Sequence, residues 1–388
     1  MSARHGGIFQ LRADLRSPRS DRCATIFEMK AEIFDTKSFS RLLATVESLE
    51  RNAAAAARTL ASDLLRPTFD RDDARGSAET LMTSLEAARD AAFRMRRQIG
   101  SSTRLFRGET GQVLRDLDQR LDQWDRVAVA VQDCLAGHEW PLVPPVLSRL
   151  DLGGAQGSLV SGAFTRAHRA INPEAQDQAS ADRGAHADIP LDVARFVAAA
   201  HLAYRLRLAT KTPRPWRFLD VGCGGGVKVA LAAEFFDEAV GIEIDPGYAA
   251  AAGRSFAAMR AHRCRVEVTD ALTYTGYGGF DVIYCYQPMH DMTALLALEE
   301  RIIAASRDDV ILIAPYPGFA MRAASLGCVP VDGTVFMKAA MAEGLADLTA
   351  EARRMGPHVY GADDDPPQGL GWLRPLWLAC AANGIRPS

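Results

Sequence analysis

Apolar residues recur at helical spacing along the first third of the chain. In the first stretch they advance mostly by alternating steps of four and three residues. The positions of this stripe are Leu42, Val46, Leu49, Ala53, Ala56, Leu60 and Leu64. Residues 81–95 and 113–131 repeat the pattern and are followed by Gly100 and Gly137. The pattern predicts three amphipathic helices that fold back on one another as an all-α bundle over residues 35–140.

The length and regularity of these helices leave their role open. A helix of about 30 residues is ~45 Å long, which favours an elongated bundle or a coiled-coil hairpin. Near-heptad stripes also occur in helices that self-associate. We expect either a structural or dimerising extension or an arm that binds a partner protein.

Proline and glycine interrupt the periodicity after the bundle. The interruptions are Pro141, Pro144, Pro145, Gly153, Gly154, Gly157, Gly162 and Pro173. Long segments without regular structure are usually either functional or disordered. We therefore expect a linker or a lid at residues 141–188, followed by a helix at residues 189–209.

Short apolar strands alternate with helices from Arg217 to Lys338. The strands are expected at residues 217–221, 239–244, 264–268, 280–286 and 310–314. This alternation predicts a parallel sheet with helices on both faces and a ligand site beyond the carboxyl ends of its strands. Asp332-Gly333 predicts a hairpin between two further strands.

Composition and charge exclude several classes of protein. Of 388 residues, 48% are hydrophobic and 24% are charged, and the net charge is -3. A net charge of this size is not the basic field that dominates affinity for nucleic acid. No apolar run reaches the ~18 residues that a membrane-spanning helix needs. The seven cysteines form no C-x-x-C pair, so we expect reduced thiols and no metal site.

The start of the chain carries scattered arginines but no signal-type apolar run, so we expect a cytoplasmic protein. Residues 1–34 are expected to be a disordered tail. A more regular sequence begins at Met29, which leaves open whether residues 1–28 are translated.

A glycine-rich loop follows the first strand of the alternating region. Asp220 precedes Gly222 by two residues, and glycine returns at Gly224 and Gly226. Glycine allows a sharp turn and a close approach of ligand to backbone. A dinucleotide loop would have glycine at the position of Val227, and a phosphate loop would contain G-K-[ST], which is absent.

Acidic residues follow the next two strands. Glu243 ends the second strand, where a carboxylate can accept hydrogen bonds from both ribose hydroxyls of a nucleoside. Asp245, just before Pro246, is interpreted as a solvated acid. Asp270 follows the third strand and, taken alone, is typical of a turn cap.

These three motifs together resemble the cofactor half of the class I, Rossmann-like S-adenosylmethionine-dependent methyltransferases, over roughly residues 188–340. The resemblance implies an α/β fold, with a Rossmann-like seven-strand methyltransferase sheet over residues 189–340 after the all-α helical bundle. It implies S-adenosylmethionine as cofactor. Glu243 is then expected to bind the ribose and Asp270 the adenine amino group, and the backbone N–H of the residue after Asp270 is expected to reach the adenine ring. The cofactor-binding residues implied are Asp220, Gly222, Cys223, Gly224, Gly226, Glu243, Ile244, Asp270 and Ala271. Residues 341–388 are expected to be an extension without a counterpart.

The end of the fourth strand, Tyr286-Gln287-Pro288-Met289, is expected to face the methyl acceptor. Nucleic-acid amino methyltransferases carry [DN]-P-P-[YF] here, and this chain departs at three of the four positions. A protein side chain or a small molecule is therefore preferred as substrate.

Three side chains near this strand end are the catalytic candidates. Tyr286 and Gln287 could orient an acceptor, and His290 could act as a general base for an oxygen nucleophile; we favour orientation. Lys228 is expected to point to solvent, and Cys223 and Cys285 are expected to be packing residues. The alternative to an active methyltransferase is a non-catalytic scaffold or regulator that retains the cofactor domain.

Overall fold

The structure is a computed structural model that describes residues 36–66, 71–99, 109–142, 155–173, 175–189, 192–212, 214–360 and 365–387. The expected N-terminal tail, residues 1–34, lies outside the described residues. The described helices are α1 (Thr36–Leu64), α2 (Arg71–Ile99), α3 (Glu109–Ala136), α4 (Ala155–Ile171), α5 (Gln178–Asp182), α6 (Val193–Ala209), α7 (Val227–Ala232), α8 (Pro246–Met259), α9 (Met292–Ala305), α10 (Pro317–Arg322), α11 (Ala342–Arg354) and α12 (Arg374–Ala382). The described strands are β1 (Arg217–Val221), β2 (Glu238–Glu243), β3 (Cys264–Val268), β4 (Val282–Cys285), β5 (Ile311–Ile313), β6 (Cys328–Asp332) and β7 (Val335–Lys338).

The strands form one seven-stranded sheet in the order β3-β2-β1-β4-β5-β7-β6. β1 to β5 are parallel, and β7 runs antiparallel to both β5 and β6. In the register, Val221 faces Ile242 on one side and Cys285 on the other, so the carboxyl ends of β1, β2 and β4 lie at the same edge. The predicted α/β fold with a seven-stranded methyltransferase sheet and an N-terminal helical bundle is confirmed.

The apolar stripe of α1 is buried inside the chain. Val46, Ala53 and Leu60 are fully buried in a core that they share with residues of α2 and α3. The stripe that favours self-association is thus used for intramolecular packing, and dimerisation through it stays a prediction.

The C-terminal helix α12 completes this bundle. Leu376, Trp377 and Cys380 lie in the same apolar core as the α1 stripe. The indole of Trp372 donates a 3.2 Å hydrogen bond to Glu50, and the Asn383 amide donates one of 3.2 Å to the Leu64 carbonyl. The predicted C-terminal extension, residues 341–388, thus includes a helix whose apolar face packs against residues at the other end of the chain.

The segment expected to be a linker or lid contains a helix of 17 residues, α4. Glycine weakens a helix by about 1 kcal/mol but does not prevent one, and a Cβ at Gly162 would meet nothing within 4 Å. Residues 175–189, here called the strap, follow α4 and cross the carboxyl edge of the sheet. Within the strap, Ala185 forms an antiparallel bridge with Met289.

Helix α6 begins at the N-cap residue Asp192 and ties three parts of the chain together. Its fully buried Arg205 donates hydrogen bonds to the carbonyls of Trp140 (3.1 Å), Leu142 (3.3 Å), Ala352 (2.8 Å) and Arg353 (3.2 Å). This guanidinium therefore joins the end of the bundle to the last turn of α11. Within the described residues, no helix combines the length and the apolar character needed to cross a membrane.

Candidate cofactor and methyl-acceptor site

A cavity of about 140 Å³ lies at the carboxyl edge of the sheet, beneath the strap. Eight of the twelve site residues predicted from the sequence line it: Gly222, Gly224, Glu243, Ile244, Asp270, Ala271, Tyr286 and Gln287. Asp220, Cys223, Gly226 and His290 do not line it. The ends of four parallel strands thus meet at one cavity, as the strand order requires.

The glycine loop needs glycine for two different physical reasons. Gly224 has a φ of +53°, and a Cβ there would collide with the carboxylate of Asp188. Gly226 has a φ of +79° and precedes α7, and its Cβ would collide with Ala252 and Phe256 of α8. Gly224 therefore keeps the cavity wall open, whereas Gly226 allows two helices to pack closely.

Cys223 is a packing residue, as expected. Its backbone N–H donates a 3.1 Å hydrogen bond to the Ile242 carbonyl, and its thiol lies where a Cβ of Gly241 would be. Burial raises the pKa of this thiol well above its ordinary value, so the thiolate is strongly disfavoured.

Glu243 fixes the glycine loop to the end of β2. Its carboxylate accepts hydrogen bonds from the Gly224 N–H (2.8 Å) and from the Asp245 N–H (2.9 Å). Burial raises the pKa of Glu243, and these two hydrogen bonds oppose the rise. The side chain also lines the cavity, so it can reach a ligand there.

Asp245 is not the solvated acid that the sequence suggests. It is fully buried and caps α8 by accepting hydrogen bonds from Gly247 N–H (2.7 Å) and Tyr248 N–H (3.0 Å). Its other oxygen accepts the Asp177 N–H of the strap at 2.7 Å. An aspartate before Pro246 is a typical N-cap followed by proline in the first turn, and this signal was available in the sequence.

Asp220 carries a buried carboxylate without a hydrogen-bond partner among the described residues. Its pKa is raised to about 7, chiefly by burial; Lys228 opposes the rise, and Asp188 and Glu243 add to it. A buried carboxylate of this kind is strongly stabilised by a cationic group placed beside it. Asp220 does not line the cavity, so it can favour a ligand that carries an ammonium only through its charge, from behind the glycine loop.

Lys228 points inward, contrary to the expectation that it faces solvent. It is 8% exposed and lines the cavity, and its Nζ lies 4.0 Å from the Asp188 carboxylate. The sheet and the strap enclose its short helix α7, so little of that helix faces water.

Asp188 of the strap is a site residue that the sequence does not predict. Its carboxylate accepts hydrogen bonds from the Gly225 N–H (2.8 Å) and the Asn172 amide (3.0 Å). The side chain is 4% exposed and lines the cavity. Asp188 follows a polar stretch of no fixed pattern, so no local signal distinguishes it from the acids nearby.

Asp270 caps a turn and also lies at the cavity. Its carboxylate accepts the Leu272 N–H at 2.8 Å, which makes it a turn cap, and it also lines the cavity. The Tyr277 hydroxyl donates a 2.7 Å hydrogen bond to the Ala271 carbonyl and thereby holds the turn in place.

The opposite end of the cavity is formed by the residues that follow β4. Tyr286 and Gln287 line it, and Gln287 has a φ of +43°, which is unusual for a residue with a side chain. His290 is exposed and lies outside the lining, with its ring 3.5 Å from that of His186, centroid to centroid. His186, a strap residue that the sequence does not predict, does line the cavity.

Comparison with known families agrees with this architecture. Residues 218–304, which run from β1 into α9, match the family described as a methyltransferase domain. These strands form a class I methyltransferase domain. S-adenosylmethionine is the cofactor of this class, and the expectation of that cofactor is confirmed at the level of the family. A search of curated proteins found no match.

Solved structures similar to the chain include two methyltransferases and the protein PKMT2. A sugar N-methyltransferase from Streptoalloteichus is 22% identical, with 34% of this chain and 58% of that chain covered and a TM-score of 0.25. An amino pentose methyltransferase from Micromonospora echinaspora is 24% identical, with coverage of 34% and 61% and a TM-score of 0.26. PKMT2 from Rickettsia typhi with bound AdoHcy is 18% identical, with coverage of 33% and 27% and a TM-score of 0.28. The chain spans less than two thirds of each, and scores this low carry no functional inference.

The cavity of the methyltransferase domain fits S-adenosylmethionine by its own chemistry. The cofactor carries an ammonium, and Asp220 is a buried carboxylate without a partner among the described residues. It also carries a ribose, and Glu243 presents a carboxylate to the cavity. Among the described residues there is no group of three or more His, Cys, Asp or Glu side chains that could hold a metal ion.

Proposed function

We propose that the protein transfers a methyl group from S-adenosylmethionine to a small molecule or a protein side chain. The observation that carries this proposal is the single cavity that joins the glycine loop, Glu243 and Asp270 to Tyr286 and Gln287. A site for cofactor alone would not need the last two residues at the same cavity. Their presence supports an enzyme over a scaffold that only binds cofactor.

The cofactor contacts are assigned by the position of each group in the cavity. Glu243 binds the ribose hydroxyls, Asp270 and the Ala271 backbone bind the adenine, and Ile244 lies against the nucleoside. The glycine loop holds the methionine part, and Asp220, buried behind the loop, favours its ammonium. These roles are proposals that rest on the lining of the cavity and on the resemblance to the family.

When bound, S-adenosylmethionine supplies an electrophilic methyl carbon on a positively charged sulfur. The acceptor's lone pair forms the new bond to this carbon while the electrons of the carbon–sulfur bond stay on sulfur. An in-line displacement mainly needs alignment and exclusion of water. Gln287 and Tyr286 align the acceptor, Gln287 through its amide and its left-handed backbone. The strap covers the cavity.

Proton transfer by His290 is the less favoured mechanism. His290 is exposed and does not line the cavity, whereas Gln287 does. A general base must come within hydrogen-bond reach of the proton that it takes, directly or through one water. The geometry therefore supports orientation by Tyr286 and Gln287 as the main contribution of the chain.

Transfer of labelled methyl groups tests the proposal. The protein is incubated with methyl-labelled S-adenosylmethionine and fractions of cell extract, and label should enter at least one small-molecule or protein fraction. The Gly224→Val variant, whose side chain fills the cofactor end of the cavity, should transfer none. Cofactor binding without transfer to any fraction would favour the scaffold alternative.

A further inference from the structure

The two ends of the cavity carry different charges. Three acids line it, Asp188, Glu243 and Asp270, and all three lie at the end formed by the glycine loop, β2 and β3. Lys228 lines the same end and lies 4.0 Å from Asp188. The cofactor end is therefore rich in carboxylates, which suits a ligand that carries a sulfonium and an ammonium.

The acceptor end is formed by two segments, residues 183–186 of the strap and residues 286–289 after β4. None of these eight residues is acidic. Arg183 and His186 both line the cavity. Within the described part of the chain, the Arg183 guanidinium has no ion pair or hydrogen bond with another side chain or with the backbone. It is an exposed cation that lines the cavity.

A short antiparallel pairing holds the two segments together. The His186 N–H donates a 3.0 Å hydrogen bond to the Pro288 carbonyl, and the His290 N–H donates one of 2.8 Å to the Gly184 carbonyl. Within the strap, the Gln176 amide donates hydrogen bonds to the carbonyls of Ala185 and His186, both at 3.2 Å. This backbone pairing brings the rings of His186 and His290 together, with an angle of 49° between their planes.

We infer that the acceptor end, between Arg183 and His186, whose ring lies against that of His290, binds an anionic group of a small methyl acceptor, namely a carboxylate or a phosphate. The name acceptor end rests on the proposed function, but the existence of an anion site there does not. A guanidinium binds carboxylate and phosphate oxygens through two parallel hydrogen bonds, and imidazole N–H groups add further donors. The strap lines one side of this cavity, which favours a small molecule.

Protonation of the His186 ring is disfavoured when no anion is bound. Burial and the neighbouring His290 both lower the pKa of His186. An anion beside His186 opposes this effect because it stabilises the protonated ring. The acceptor end thus gains positive charge when an anion binds.

Calorimetry with small probes tests the inference on the full chain saturated with S-adenosylhomocysteine. The probes are benzoate, its neutral isostere benzamide, and inorganic phosphate. We expect benzoate or phosphate to bind at least tenfold more tightly than benzamide, and whichever anion binds better identifies the group. Arg183→Gln should weaken anion binding at least tenfold, and His186→Asn should weaken it less, with unchanged affinity for S-adenosylhomocysteine.

Arg195→Gln is the matched control, because Arg195 is an exposed arginine of α6 that does not line the cavity. It should bind every probe like the unaltered protein. Equal binding of benzoate and benzamide, absence of binding by both anions, or unaltered anion binding by Arg183→Gln would overturn the inference. If S-adenosylhomocysteine does not bind, the proposed function fails by itself, and the same titrations on the unliganded protein still decide whether the anion site exists.

Discussion

Single glycines in the loop after β1 decide whether the cofactor end of the cavity exists. Gly224 and Gly333 both have positive φ, +53° and +43°, and an alanine at either position costs roughly 1–2 kcal/mol of backbone strain. They differ in their surroundings. A Cβ at Gly224 collides with Asp188, whereas one at Gly333 meets nothing within 4 Å.

Gly224→Ala should therefore lose cofactor binding, and Gly333→Ala should keep it at a similar cost in stability. Calorimetry with S-adenosylhomocysteine and thermal unfolding, carried out on both variants, measure the two effects. Similar cofactor affinities for the two variants would show that the loop has been assigned wrongly.

Asp220 should make both stability and cofactor binding depend on pH. Its folded pKa of about 7 lies above the ordinary 3.8, so its contribution to stability is fully present below about pH 3.8 and is lost as pH rises through about 7. The full change in the free energy of unfolding is at most about 4 kcal/mol. A bound ammonium favours the ionised carboxylate, so cofactor affinity should rise over the same range.

Asp220→Asn should remove both trends and weaken cofactor binding. The measurements are thermal unfolding of the unliganded protein and calorimetry with S-adenosylhomocysteine, each at pH 5.5 and pH 8. If the variant shows the same pH dependence as the unaltered protein, Asp220 is not the titrating group.

Gln287 should contribute more to turnover than His290. Gln287→Gly removes the amide but suits the φ of +43°, so it tests the side chain without added backbone strain. It should lower kcat at least tenfold on an identified acceptor, with cofactor affinity largely kept, whereas His290→Ala should cost less. The opposite ranking, with a lost limb of the pH profile in His290→Ala, would indicate an oxygen nucleophile and a catalytic base.

Among the helices, α12 offers a direct test of the packing of the bundle. Leu376 is fully buried in the bundle core, and Leu378 of the same helix is 44% exposed. Leu376→Ala should lower the free energy of unfolding by about 2–5 kcal/mol. Leu378→Ala should change it by no more than about 0.5 kcal/mol. Denaturant unfolding measures both, and equal effects would contradict the position of α12 in the core.

Local patterns predict the helices and strands well because each has its own periodicity. The glycine loop, Glu243 and Asp270 are also predictable, since each directly follows or ends a strand. Asp188, Arg183 and His186 are not, because they reach the cavity only through contacts of the strap with residues 288–290 and with the glycine loop. Lys228 and α12 are missed for the same reason, since contacts distant in sequence determine their surroundings.

At the scale of the whole molecule, the two ends of the chain support one another. Helix α12 lies in the bundle core, and Arg205 joins the end of the bundle to α11. A division of the protein at residues 141–188 would therefore take α12 away from the helices that it packs against. The bundle and the methyltransferase domain are best studied in the full chain.

Calorimetric titration of the folded full-length protein with S-adenosylmethionine, and separately with S-adenosylhomocysteine, tests the central claim most directly. The account predicts one binding site for each on every chain, abolished by Gly224→Val. Absence of binding by both compounds to protein that unfolds cooperatively would contradict it.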